Sequence, residues 1–320
     1  MSGWLAAAAA LALLALVPAC SRSADKAGQA ADEKSDEAAT ENAAATGDEA
    51  ADQPEATKAV PVRVTGIPDE NPTELQRSYE PLVAMLEQAL GADVIYVPVI
   101  DYGAAVQALV AGTVDFAWLG GFTHVQARDQ AEVVPLVMRD IDREFHSVFI
   151  AHTGSGITSM ADLKGKSFAF GSKSSTSGHL MPRHFLLSEH SIDPDTDFDG
   201  SPVFSNAHDA TAKMVESGRV QAGALNQQVW DRMVAKQQID TDKVRVIWTT
   251  PPYVDYVWTA RAAVDERQRQ AFAEAFMALT PENPSHRPIL ERLGAERYVK
   301  ADASDFDNIE AVARKIGLLR

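Results

Sequence analysis

The 320-residue chain is predicted to be an α/β protein of two lobes between which the backbone crosses twice, and three features of the sequence carry that prediction. From Val62 to Val137, apolar runs of strand period alternate with amphipathic runs of helical period, the cadence that builds a parallel sheet under covering helices. The cadence resumes between Lys166 and Thr249, after a glycine-rich break at Thr153-Gly154-Ser155-Gly156. A last strand-like run, Tyr253 to Ala260, follows Pro251-Pro252 and leads only into helices, so it is expected to return the chain to the first lobe. Residues 60–152 and 253–320 then form lobe 1, and residues 153–252 form lobe 2.

The first strand is Val62 to Ile67. Pro72 and Thr73 open an amphipathic helix that runs to Leu90 and stops at Gly91. The next strand, Asp93 to Val99, reaches Asp101-Tyr102-Gly103 and a helix from Ala104 to Ala111, closed by Gly112. Val114 to Trp118 is a strand that breaks at Leu119-Gly120-Gly121 into a helix ending near Gln130. Strands at Val133 to Val137 and Phe145 to His152 complete the first set, and the second lobe is entered at Gly154. Its strands are Lys166 to Phe170, Pro202 to Ser205, Val220 to Leu225 and Val244 to Thr249. Helices begin near Arg183, Asn206 and Asn226, and those of the returning segment are expected at about 265–279, 287–293 and 307–315.

Ahead of these units, residues 4–19 are an apolar run too short to span a bilayer comfortably, as in a secretion signal. It ends at Cys20, the only cysteine in the sequence, and Leu16-Val17-Pro18-Ala19-Cys20 resembles a bacterial lipobox whose cysteine is lipidated. A plain signal peptide with an incidental cysteine is the other reading. Residues 21–59 contain almost nothing apolar larger than alanine, and ten acids against four bases give them a charge of −6. Such a segment cannot offset its ordering entropy and is expected to be a disordered tether. One cysteine leaves no internal disulfide to staple the fold.

The formal net charge of −16 opposes nucleic-acid binding, which recruits basic surfaces. It also disfavours anions at long range, so an anion site here must rest on local dipoles. The stretch from Gly171 through Ser174-Ser175-Thr176-Ser177-Gly178 has the composition for one. It joins a strand to a helix, and a helix start presents unpaired N–H groups and a partly positive dipole end. Hydroxyls add rotatable donors. The plainer alternative is a helix cap at Ser175 or Thr176. Turns from both lobes point at one crevice in this topology and place there Asp69, Asn71, Tyr102, Trp118 to Gly121, Ser174 to Ser177, His208, Asn226, Tyr253 and Asp255. Singly, each has a structural explanation, such as core packing for Trp118 or capping for His208 with Asp209. The eight histidines show no metal-ligand spacing, and neither a metal nor another cofactor is expected.

Over roughly residues 60–280 the chain resembles the substrate-binding proteins of bacterial ABC importers in the phosphate, phosphite and phosphonate group. The matching pieces are Asp101-Tyr102, Val114 through Gly121, Ser174 through Pro182, Asn206-Ala207-His208-Asp209 and Gly223-Ala224-Leu225. A branch often labelled putative selenate-binding is similar. The resemblance implies the α/β, type 2 periplasmic binding protein fold with two hinge crossings, and a monomer that docks on a membrane permease with its ATPase. It further implies an oxyanion held by Ser175, Thr176 and Ser177, with Tyr102 and His208 donating from other sides and Asp255 as an acidic contact. In aminophosphonate binders a second acid falls where Asn226 stands, so an ammonium-bearing ligand loses a counter-charge here. A carboxylate at position 255 accepts a hydrogen bond from a protonated anion and repels a fully ionised one, which favours phosphate or phosphite over selenate or sulfate.

Three other readings compete with this one. A hydrolase built on Ser175 or Ser177 with His208 and Asp209 lacks a Gly-x-Ser-x-Gly elbow, and its histidine and acid are sequence neighbours. A ligand-sensing head would use the same clamp. An aromatic box of Tyr102, Trp118, Tyr253 and Tyr256 for a quaternary ammonium ion conflicts with the hydroxyl-rich turn.

Overall fold

The computed structural model describes residues 60–320; the expected leader, Cys20 and the acidic segment 21–59 lie outside the described residues. Strands β1 (Val62–Gly66), β2 (Val94–Tyr96), β3 (Phe116–Leu119) and β4 (Val133–Arg139) alternate with helices α1 (Pro72–Leu90), α2 (Tyr102–Val110) and α3 (Gly121–Gln130). Then come β5 (Ser147–His152), β6 (Phe168–Phe170), α4 (Met181–Ser188), β7 (Val203–Phe204), α5 (His208–Glu216), β8 (Ala222–Asn226), α6 (Gln227–Ala235) and β9 (Val244–Thr249). The chain ends with β10 (Val257–Arg261), α7 (Glu266–Met277), α8 (Arg287–Leu293), β11 (Tyr298–Lys300) and α9 (Asp307–Lys315).

Two sheets result, ordered β11-β4-β10-β3-β1-β2 and β7-β6-β8-β5-β9. Both are mixed: antiparallel strands join the parallel pairs that the cadence predicts. The pairs β1·β2, β1·β3, β6·β7 and β6·β8 are parallel, as successive strand–helix–strand units require. The antiparallel members are the strands next to the crossings and the late β11: β10 between β3 and β4, β5 between β8 and β9, and β11 on β4. A strand that carries the chain out of one sheet and into another does not inherit the direction of the βαβ series. The three residues of β11 are too few to show a period, and the sequence reading missed them.

The first crossing also lies earlier than expected. β5 is an interior strand of the second sheet, so the chain leaves the first sheet before Ser147 and not at Gly154. The break at Thr153–Ser155 is only a short 3-10 turn, ended by Gly156 at φ 76°. Both crossings run side by side: Phe145 N donates to Tyr253 O at 2.8 Å and Tyr253 N to Phe145 O at 3.0 Å.

Each sheet is apolar on both faces. On one face of the first, Leu82 and Leu86 of α1 pack with Phe272 and Phe276 of α7, and Phe116 stacks on Phe272 at 4.0 Å. On the other lie α2, α3 and α9, together with Leu180, Met181 and Phe185 from the second half of the fold. The second sheet is covered by α5 and α6 on one side and by Leu186, Ile192 and Phe198 on the other. Contacts such as His208 N to Asp69 O at 3.0 Å hold the two halves together at the strand ends.

Candidate functional site

The hydroxyl-rich turn is the first helical turn after β6. Thr176–Leu180 forms one turn of π-helix that runs into α4, with Ser175 as its cap: Ser175 Oγ accepts from Gly178 N at 2.9 Å. The capping reading is thus correct for Ser175, and the remaining hydroxyls exceed what a cap needs. Gly178 lies against Gly171, whose N donates to Gly178 O at 2.8 Å. A Cβ at Gly178 would come within 3.1 Å of Gly171 Cα and 3.0 Å of His208 Cε1, which explains the glycine. Ser175, Thr176 and Ser177 are all buried, whereas Ser174 is half-buried at the rim.

A second helix start faces this turn from the first sheet. β3 ends at Leu119 and α3 begins at Gly121, with Gly120 as a cap that has no side chain. Its amides reach across: Gly121 N donates to Asp255 Oδ1 at 3.0 Å and Phe122 N to Thr176 Oγ1 at 3.0 Å. Gly120 is needed for closeness, because a Cβ there would sit 3.0 Å from Thr176 Oγ1 and 3.1 Å from Asp255 Oδ1. Asp255 is 1% exposed, and its Oδ2 has no protein partner. Burial raises its pKa to about 7, against the lowering effect of the Thr176 hydroxyl and the Gly121 amide.

Tyr102 opens α2 behind the cap Asp101, whose Oδ1 accepts from Ala104 N at 2.7 Å. Its hydroxyl lies 3.5 Å from His208 Nε2. His208 opens α5, is fully buried and has its pKa lowered to about 3 by burial, so it is neutral. Asn226 N donates to His208 Nδ1 at 3.3 Å, which places the ring proton on Nε2, directed toward Tyr102. Tyr253 OH lies 2.5 Å from Ser147 Oγ, which also donates to Ser177 O at 2.7 Å. Ser147 was not singled out from the sequence, although a serine in the apolar run Phe145 to His152 was a usable signal.

The structure therefore gathers Tyr102, Ser175, Thr176, Ser177, His208, Tyr253 and Asp255. Asn226 stands one layer behind. Its Oδ1 caps α6 by accepting from Val229 N at 3.1 Å, and its Nδ2 donates to Tyr256 OH at 3.0 Å. Tyr256 OH in turn donates to Asp69 Oδ2 at 2.7 Å. Trp118 stacks on Tyr256 at 5.6 Å as part of the same wall. Asp209 accepts from its neighbour's amide, Ala210 N, at 2.8 Å. Among the described residues, no three His, Cys, Asp or Glu side chains are grouped as a metal ion would require.

Two α/β layers, joined by paired crossings and meeting at opposed helix starts, one rich in hydroxyls and one in glycine, define a solute-binding protein with a site suited to a small oxyanion. The family described as ABC transporter, phosphonate, periplasmic substrate-binding protein matches residues 64–306, and the chain belongs to it. It is 36% identical over 271 residues to the probable ABC transporter phosphite binding protein PhnD1 of Prochlorococcus marinus, covering 81% of this chain and 91% of that protein. It is 31% identical to the phosphate-import protein PhnD of Mycolicibacterium smegmatis, over 67% of this chain and 71% of that one. The solved structure of the Prochlorococcus protein in complex with methylphosphonate superposes with a TM-score of 0.78 at 35% identity, covering 81% of this chain and 98% of that one. The aliphatic sulphonate binding protein SsuA of Escherichia coli, at 18% identity and a TM-score of 0.56 over 81% and 88% of the two chains, shares the fold alone.

Proposed function

We propose that this chain is the extracytoplasmic binding component of an ABC importer, monomeric and tethered to the membrane through Cys20. Its ligand is phosphite, phosphate or a simple phosphonate, held by Ser175, Thr176, Ser177, Tyr102 and His208, with Tyr253 and Asp255 closing the cradle. Ser174 guards the rim, and Asn226 positions His208 and Tyr256. Lobe 1 and lobe 2 close over the ligand about the paired crossings at Phe145 and Tyr253. The permease and ATPase receive the closed form.

The observation that carries this reading is Asp255, a buried acid whose Oδ2 has no protein partner, beside the Gly121 amide and the Thr176 hydroxyl. One proton has to lie between that carboxyl and the ligand. Phosphorus oxyanions still hold a proton near neutrality and can supply it to an ionised Asp255, whereas sulfate and selenate cannot. Above pH 7 Asp255 is ionised and discriminates. Below pH 7 it carries the proton itself and admits the fully ionised anions.

The ring of His208 also supports capture without catalysis. A general base for a serine nucleophile needs a free Nε2 lone pair and an acid on Nδ1. His208 has the opposite tautomer, and Nδ1 faces an amide.

Calorimetric titration with methylphosphonate, phosphite, phosphate, sulfate and selenate, on either side of pH 7, tests the reading. Near neutral pH, where the phosphorus anions still bring a proton, they are expected to bind in preference to sulfate and selenate; sulfate gains affinity as the pH falls below 7, and all lose it once neither Asp255 nor the anion holds a proton. Thr176→Val should weaken binding by about 1–3 kcal/mol through loss of one donor. Equal affinity for sulfate and methylphosphonate near neutral pH, or an unaltered Thr176→Val, would sink it.

A further inference from the structure

The geometry points to Arg139 as a specificity-determining residue: its guanidinium is a built-in cation that occupies the aromatic wall beside the cradle and bars phosphonates whose substituent carries an ammonium group. The inference rests on the phosphorus-oxyanion reading of the cradle and deepens it.

Arg139 is the last residue of β4 and is buried. Its guanidinium carbon lies 4.9 Å from the ring centre of Tyr256 and 5.4 Å from that of Trp118, the two rings that stack on each other. Asp142 holds it from behind, accepting from Nε at 2.8 Å and from Nη2 at 2.6 Å. Its Nη1 donates to Leu293 O at 2.9 Å and to Gln228 Oε1 of α6 at 3.0 Å. The cation is thus fixed from both halves of the fold.

Alongside it is a cavity of about 80 Å³ whose lining includes Asp69, Glu70, Trp118, Arg139, Asn226 and Tyr256. This space is one side chain away from the cradle, since Tyr256 follows Asp255 and Asn226 N is bonded to His208. In this proposal a substituent larger than methyl points toward this space. An ammonium group would seek the faces of Trp118 and Tyr256 and an unpaired carboxylate. It finds both rings under Arg139, Asp142 paired with Arg139, Glu70 paired with Arg232, and Asp69 bonded to Tyr256. Arg139 and Arg232 repel it as well. Discrimination comes from a repulsive element as much as from the missing acid at position 226.

The test measures the affinity ratio of methylphosphonate to 2-aminoethylphosphonate, by calorimetry on the full chain, for four proteins. They are the wild type, Arg139→Lys, Arg139→Met, and Arg139→Met combined with Asp142→Asn. Wild type and Arg139→Lys should prefer methylphosphonate by at least about tenfold, as expected of a cation-bearing wall. Arg139→Met, which leaves Asp142 as a counter-charge, should shift the ratio toward the aminophosphonate by about tenfold or more. The double variant removes both buried charges, so it stays folded if the single variant does not; its ratio should shift in the same direction by less. A uniform loss for both ligands in the Met variants, or a wild type that binds both equally, overturns the role of Arg139 and leaves the oxyanion reading standing. A wild type that binds neither overturns the oxyanion reading and the inference with it.

Discussion

Asp255 shows how one side chain ties stability to selectivity. Its carboxyl is raised by burial from 3.8 to about 7, so the folded state holds the proton more tightly than the unfolded chain. The cost of the charge is therefore absent below about pH 4, grows as the pH rises toward 7, and is complete above it, at most about 4 kcal/mol for a shift of this size. Asp255→Asn should remove that cost. Melting temperatures of the two proteins should diverge between pH 4 and pH 7, with the variant increasingly the more stable, and parallel curves would show an ordinary carboxyl. Asp69 is raised to about 7 as well, first by burial and then by Glu70, but it is common to both proteins and cancels in the comparison. The same charge that destabilises the empty site above pH 7 rejects a fully ionised anion, so removing it should also relax the preference against sulfate.

At the scale of elements, the cradle is two helix starts brought nose to nose. One was legible in the sequence, because four consecutive hydroxyl residues between glycines exceed any capping need. The other, at Gly120 and Gly121, has no side chain to advertise it and was visible only as a break after a strand. Glycine there is required by the approach of Thr176 and Asp255 and not by backbone strain, since Gly120 has φ −74°. Gly120→Ala should accordingly strain the contacts with Thr176 and Asp255 and lower the stability of the unliganded protein modestly, while weakening anion binding by tenfold or more, about 1.4 kcal/mol or above. Melting with and without methylphosphonate separates the two effects, and full retention of the ligand-induced shift would show that the contact can yield. Periodicity located nearly every element, but it could not assign β5 to a sheet. An alternating run from Phe145 to His152 reads the same in either half, and only the pairing with β8 and β9 decides. Arg139 and Asp142 escaped for a related reason: a charged pair three residues apart reads as surface until burial shows otherwise.

For the whole molecule, the question is how an acidic protein captures an anion. The head, residues 60–320, carries −10 of the net −16, and the acidic segment carries the rest. Within a few ångströms of the cradle, oriented amides and hydroxyls dominate, as the opposed helix starts require. Farther out, the ligand meets a repulsive field whose reach is set by salt, about 30 Å at 0.01 M and about 10 Å at 0.1 M ionic strength. Association should therefore speed up as salt is added, the reverse of electrostatically steered binding, while the dissociation rate, governed by the buried contacts, changes little. Stopped-flow measurement using the fluorescence of Trp118 and its neighbours, with methylphosphonate and a non-coordinating salt, gives both rates. An association rate that falls with ionic strength would mean that a local cationic funnel near the cleft outweighs the net charge, with Lys173, exposed beside the cradle, the first residue to replace.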